Sequence, residues 1–229
     1  MKGLVVINAY PNGGKFIRQG ERIAAALHAQ GIPTDVKKNG EISAQITTKG
    51  EICTFAKEYD FAVYLDKDKY LGYMLEKAGL RLFNRAEAIE TCDDKMRTYL
   101  ALADKNVPII ESIPAPLCYT KGAKVSEGFL LGVEKTLGYP LVVKKSYGSF
   151  GAGVVLVHGR AELQKTAQEF LYEPHLFQRY IANSSGRDVR VIVIGGKAFA
   201  AMERRAKQGE FRSNIELGGV GGKIELSNA

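Results

Sequence analysis

The sequence has no tryptophan, and only three cysteines and three histidines among its 229 residues. Cys53, Cys92 and Cys118 are odd in number, far apart and free of any CxxC spacing, and His28, His158 and His175 are equally scattered. That pattern excludes a disulfide framework and a zinc site, and makes buried, reduced thiols the expected state. No stretch approaches the ~20 apolar residues of a membrane span, and the apolar run in "MKGLVVINAY" is too short for a signal peptide. The expected location is the cytoplasm. Internal repeats and low-complexity tracts are missing. So are two familiar phosphate signatures. In "NAYPNGGKF", Ala9 stands where a Walker loop needs glycine, and Phe16 where it needs Ser or Thr. "SYGSFGAG" lacks the G-x-G-x-x-G order of a dinucleotide fold.

What is present is ordinary globular composition with an uneven charge. Lysine and arginine exceed aspartate and glutamate by 32 − 25 = 7. Between Gln178 and Arg212 stand eight basic residues (Arg179, Arg187, Arg190, Lys197, Arg204, Arg205, Lys207, Arg212) and three acidic ones (Asp188, Glu203, Glu210). Five of the seven excess charges therefore fall in one short stretch, which reads as a local anion site rather than a basic tail.

The apolar pattern predicts two α/β regions. "LVVIN" and "FAVYLD" read as buried strands and "LRLF" as a third. The helices between them carry Phe16, Gly20, Ile23 and Leu27, then Leu71, Met74, Leu75 and Ala78, at helical spacing. Strands alternating with helices imply βαβ units and a parallel sheet up to about residue 83. Asn84 with Glu87 resembles a capping box opening a helix over 85–92. Asp93 and Asp94 offer a fresh cap for a helix that buries Met96, Tyr99, Leu100 and Ala103. A domain boundary is expected near 84–94. Beyond it, Phe129, Val133 and Leu137 mark one helix, and Leu163, Ala167, Phe170 and Leu171 another. "HLFQRYI" reads as a strand, and "DVRVIVIGGKAFAAMERR" as an antiparallel hairpin turning at Gly195-Gly196.

Two stretches carry chemistry. "PLVVKKSYGSFGAGVVLV" reads as strand, glycine-rich loop, strand, with Lys144 among apolar neighbours. Glycines let backbone N–H groups close on phosphate oxygens, and a lysine in an apolar strand needs an anionic partner. A surface hairpin with solvated lysines is the competing reading. "ERRAKQGEFRSN" ends in Arg212, Ser213 and Asn214: a planar cation, a hydroxyl and an amide, suited to a phosphoryl group, with a solvated loop as the alternative. "GGVGG" after it is expected to leave the site flexible. Arg190 is expected to face solvent, and Asp188 reads equally as a turn residue or a site residue.

Together, "LRLFNRAEAIETCDDKMRTYLAL", "YPLVVKKSYGSFGAGVVLV", "FQRYI" with "GRDVRVIVIGGK", and "AAMERRAKQGEFRSNIELGGVGGKIEL" resemble the ATP-grasp superfamily, specifically the RimK-type alpha-L-glutamate ligases, over roughly residues 80–229. The resemblance implies an α/β chain, α+β in its ATP-grasp part: a small Rossmann-like pre-ATP-grasp domain over 1–90 and an ATP-grasp domain over 91–229. The lid subdomain would span about 112–180 and a partial C-terminal subdomain 181–229. It implies that Lys95 and Lys144 bind nucleotide phosphates. Gln178, Arg179, Tyr180 and Ile181 would line the adenine, Asp188 the ribose side, and Arg212, Ser213 and Asn214 the phosphate site, with Arg212 catalytic.

The expected activity is ATP-dependent carboxylate–amine ligation through an acyl phosphate, adding glutamate or a similar amino acid to a peptide or small acid. A non-catalytic nucleotide-binding module, or a truncated inactive fragment, is the alternative. Related ligases carry Glu where this chain has Arg179, which leaves backbone groups to read adenine. They also continue into strands that supply magnesium ligands. "KIELSNA" contains no equivalent, so the ligands for Mg2+ are expected beyond Ala229 and no metal-binding residue is assigned. The expected partners are ATP, carboxylate and amino-acid substrates and further copies of the chain, with no membrane. RNA binding by the 178–212 cluster is disfavoured by its few aromatic residues.

Overall fold

In a computed structural model, the structure describes residues 1–10 and 13–225. Residues 11 and 12 of "NAYPNGGKF" and the last four of "KIELSNA" lie outside the described residues. The chain forms two compact units, Met1–Ala101 and Leu102–Ala229.

The first unit contains β1 (Gly3–Ile7), α1 (Lys15–His28), β2 (Thr34–Lys38), β3 (Ala44–Ile46), β4 (Ile52–Thr54), β5 (Phe61–Tyr64), α2 (Lys69–Lys77), β6 (Arg81–Phe83), α3 (Ala86–Asp93) and α4 (Lys95–Leu102). Its main sheet runs β2-β1-β5-β6, all parallel, and β3 pairs with β4 as a small antiparallel ribbon. Every residue of β1 is buried, as a central strand covered on both faces demands. Leu4, Val6, Ala62, Tyr64, Leu75 and Leu82 pack on one face; Val5, Ile7 and Ala24 pack on the other. Gly20 lets α1 lie close on the sheet, because a Cβ there would stand 3.0 Å from the Ile7 side chain. Asp68 caps α2 by accepting from the Leu71 N–H at 3.1 Å.

The second unit contains β7 (Ser112–Pro114), α5 (Glu127–Leu137), β8 (Leu141–Lys145), β9 (Val154–Val157), α6 (Arg160–Glu169), β10 (His175–Arg179), β11 (Arg187–Ile194), β12 (Lys197–Arg205) and β13 (Val220–Ile224). One antiparallel sheet runs β7-β10-β8-β9, and a second runs β11-β12-β13. Leu141, Val143, Val157 and Phe177 point to α5 and α6, where they join Leu130, Val133, Leu137, Leu163 and Ala167. Strand alternation then puts Val142, Lys144, Leu176 and Gln178 on the opposite face. Both glycines of the Gly195-Gly196 turn have positive φ (58° and 78°), as a two-residue hairpin requires.

The mixed α/β reading is met, with four corrections. The cysteines are not buried: Cys92 is exposed on α3, and Cys53 and Cys118 are half-buried in a three-residue strand and a loop. The cap of α3 is Arg85, already extended at φ −65° and ψ 148°, so Asn84 stands one residue too early. Asp94 does cap α4, accepting from Met96 N–H at 2.8 Å, but no residue of α4 is fully buried and Leu100 is exposed. "GGVGG" is not loose. Val220–Ile224 is strand β13, and a Cβ on Gly219 would collide with the carbonyl oxygens of Ser213, Asn214 and Arg205 at 2.9–3.0 Å. Strands β2, β3 and β4 escaped the pattern reading because "TDVKK" is polar and β3 and β4 have three residues each.

Candidate functional site

The second unit brings most of the expected residues into three linked clusters. Lys144 donates through Nζ to the Gln178 side-chain oxygen on the neighbouring strand. Gln178 is 1% exposed and donates its own N–H to Ser112 Oγ at 2.8 Å. Three strands thus hold one polar chain around the buried Gln178, and the half-buried lysine is aligned by an amide rather than left as a solvated tip. Lys145 turns to the other face, where it pairs with Glu173 at 2.7 Å and lies over the Phe170 ring.

After β8 the chain turns through the glycine loop. Gly148, Gly151 and Gly153 all have positive φ, as does Phe150. Gly151 is the point of close approach: a Cβ there would stand 3.0 Å from Asn214 Oδ1 and 3.4 Å from Arg212 Cδ. Arg212 Nη1 donates to the Gly151 carbonyl at 3.0 Å. The loop therefore lies directly on the Arg212–Asn214 run, and a side chain at Gly151 would be both crowded there and strained at φ 81°.

Arg212 is held by Glu210 in a two-pronged pair, Nε to Oε1 at 2.9 Å and Nη2 to Oε2 at 2.8 Å. The Arg212 guanidinium, aided by the Arg212 N–H, holds the Glu210 carboxyl at about 2. Arg212 also stacks near the Phe211 ring, which meets Tyr180 edge-on at 6.4 Å.

Asp188 lies across from Arg204 and takes both its prongs, at 2.8 Å and 2.5 Å. Ser213 Oγ donates to the same carboxylate at 2.5 Å. Burial pushes the Asp188 carboxyl up, but Arg204 and Ser213 outweigh it and hold it below the usual range. Ser213 is 6% exposed, so this part of "ERRAKQGEFRSN" is no solvated loop. Arg190 faces solvent, as expected.

Arg179 points the other way. Its guanidinium donates to Glu111 at 2.6 Å and 2.9 Å and to the carbonyls of Thr136 and Leu137 at the end of α5. It shares the helix-covered face with Phe177, whereas Gln178 alternates to the Lys144 face. Lys95 belongs to the first unit, at the start of α4, where burial and then Lys67 push its amine down against the pull of Asp93 and Asp94.

Sequence reading missed Arg204, Glu210, Ser112 and Glu111. Arg204 and Glu210 were visible only as members of a charge cluster. Ser112 and Glu111 stand more than sixty residues from their partners, with no local signal.

The RimK-like ATP-grasp domain family matches residues 92–229, which is more than half of the chain. The chain belongs to the RimK-like ATP-grasp family. It is 37% identical over 166 residues to beta-citrylglutamate synthase B of Danio rerio, covering 72% of this chain and 40% of that protein. It is 35% identical over 167 residues to N-acetylaspartylglutamate synthase A of Homo sapiens, covering 72% and 41%. The chain thus spans about two fifths of the length of these relatives. The crystal structure of a RimK domain ATP-grasp protein from Sphaerobacter thermophilus superposes with a TM-score of 0.63 at 16% identity, covering 88% of this chain and 72% of that one. The ATP-grasp fold is therefore shared, and the RimK-type resemblance stands.

Proposed function

We propose that this RimK-like chain carries the nucleotide cradle of an ATP-dependent carboxylate–amine ligase that adds glutamate or a similar amino acid to a peptide or small acid in the cytoplasm. The observation that carries the reading is the glycine loop lying on the Arg212–Asn214 run, with the Gly151 carbonyl bonded to Arg212 and little room for a side chain before Asn214. A glycine-rich loop beside an arginine, a hydroxyl and an amide suits a polyphosphate. The relatives' names, both synthases of glutamate conjugates, support the class of product.

When bound, ATP supplies the phosphoryl group that activates a carboxylate, after which the amine displaces phosphate. The chain's own residues bind, orient and shield. Lys144, aligned by Gln178, neutralises phosphate charge. Gln178, Tyr180 and the backbone of Arg179 and Ile181 line the base, while the Arg179 side chain braces α5. Asp188, anchored by Arg204, serves the ribose side and positions Ser213. Arg212, with Ser213 and Asn214, stabilises the transferring group, and Glu210 keeps its guanidinium in plane. The loop over 146–153 excludes water. On this reading the nucleotide domain spans 91–229, with the lid at about 112–180 and 1–90 as the preceding domain. Among the described residues no group of three or more His, Cys, Asp or Glu side chains could hold a metal ion. No role above passes through a magnesium ion, which the reading expects to be held by phosphates of the nucleotide with few protein carboxylates.

The test is a calorimetric titration with ADP, beside Lys144→Ala. Binding that weakens at least tenfold (about 1.4 kcal/mol) in a folded variant is the expected result. Equal affinity in the two proteins would remove Lys144 from the cradle, and no binding in either would sink the reading.

A further inference from the structure

In the second unit, residues 115–126 join β7 to α5 without forming helix or strand. The segment is nevertheless pinned along its length. Ala115 N–H donates to the His175 carbonyl at 2.9 Å, and Gly122 N–H to Tyr172 OH at 2.8 Å. The Gln168 amide on α6 accepts from Val125 N–H at 2.9 Å and donates to the Ala123 carbonyl at 3.1 Å. These bonds hold the segment off the core and leave a cavity of about 300 Å3 beneath it. Leu117, Phe129, Leu171 and Phe177 form apolar walls, and His175 and Lys124 are its charged or titratable members. Leu117 and Lys124 are exposed, so the cavity opens to solvent, whereas His175 is 4% exposed and lies at depth.

The cavity is separate from the nucleotide cradle. His175 and Phe177 alternate to the helix-covered face of β10, and Gln178 to the face that carries Lys144. Its chemistry is selective. Phe129 and Phe177 meet edge-on at 5.7 Å, and Phe177 meets the His175 ring at 5.3 Å, a lining that suits one more aromatic ring. The volume is at the lower end of small-molecule pockets, enough for one ring with its substituents. His175 Nδ1 stands 2.8 Å from the Glu173 carbonyl, which can only accept, so Nδ1 carries the hydrogen. Burial pushes the imidazole down and keeps it neutral at physiological pH. The polar atom left for a ligand is Nε2, an acceptor. A ligand here must therefore bring a donor.

We infer that this cavity binds a small aromatic acid with a hydroxyl or N–H at its far end. The ring lies against Phe129 and Phe177, the donor bonds His175 Nε2, and the carboxylate stays at the mouth beside Lys124. The inference goes beyond the ligase reading and does not draw on it.

The experiment follows backbone amide shifts of the full chain by NMR during titration with 4-hydroxybenzoate and with benzoate, which lacks the donor. Saturable shifts are expected in 115–126 and around His175, with 4-hydroxybenzoate about tenfold tighter than benzoate. Saturating ADP should not displace either probe. His175→Phe keeps a ring against Phe170 and Phe177 but removes the acceptor, and should bring the two probes to equal affinity. Equal affinity in the wild type, shifts centred elsewhere, displacement by ADP or no saturable binding each overturns the proposal without recourse to a variant. So does a folded His175→Phe that keeps the preference. Failure of ADP itself to bind bears on the ligase reading alone.

Discussion

At the scale of single residues, two ion pairs hold the phosphate-site run in shape. Arg204 is 12% exposed at its side chain and Asp188 39%. Removing Arg204 leaves a half-buried carboxylate with Ser213 as its remaining side-chain donor. Arg204→Ala should therefore destabilise by about 1–3 kcal/mol, toward the lower end because solvent screens Asp188. Urea melts measure it, and an unchanged midpoint would show the pair to be screened out. Glu210 makes a pH prediction. Its carboxyl is held at about 2, below the ordinary 4.5. A depressed folded value means stability that is fully present above pH 4.5 and lost as pH falls toward 2. Glu210→Gln should flatten the acid slope of the melting temperature across that window, and a variant with the wild-type slope would contradict the pairing. Lys144, Arg212, Ser213 and Asn214 stood out in the sequence by type and setting, whereas Asp188 read equally as a turn residue. Distant partners did not stand out, because Glu111 and Ser112 reach Arg179 and Gln178 across 68 and 66 residues of chain.

At the scale of elements, register decides what meets. Counting back from the Gly195-Gly196 turn, Ile194 faces Lys197 and Val193 faces Ala198. The same count would put Asp188 opposite Glu203, two like charges. A bulge intervenes: Ile192 faces Ala200, Phe199 is the extra residue, and Asp188 meets Arg204 instead. Deleting Phe199 should remove the bulge and leave Asp188 opposite Arg204, so the two-pronged ion pair is kept, whereas deleting Ala200 as well should bring Asp188 opposite Arg205 and lower the melting temperature. A single deletion that costs as much stability as the double one would show that the bulge does more than set the register. The glycine loop carries a second prediction. Gly151→Ala places a Cβ at φ 81° against Asn214. The strain of about 1 kcal/mol should push the loop off Arg212 and weaken ADP binding more than it lowers stability. Calorimetry beside thermal melts separates the two effects, and intact ADP affinity would argue against the cradle.

At the scale of the whole molecule, the two units have separate cores. Leu75 and Phe177 are both fully buried, one in each. Leu75→Ala should cost about 2–5 kcal/mol and Phe177→Ala about 3–5 kcal/mol, with the double variant additive within about 0.5 kcal/mol. A coupling well beyond that value, from denaturant melts, would mean the cores act as one. What the sequence determined by itself is local: the βαβ order of the first unit, the lysine strand running into a glycine loop, the two-glycine hairpin and the Arg-Ser-Asn run. Those features follow from side-chain period, turn geometry and backbone freedom, which neighbours along the chain dictate. The tertiary structure decided the rest. It turned Arg179 away to α5, shifted Asp188 onto Arg204 by one bulged residue, and laid Gly151 on Arg212. Each depends on which distant backbone packs alongside, and a one-residue change in register alters the partner of every side chain on a strand.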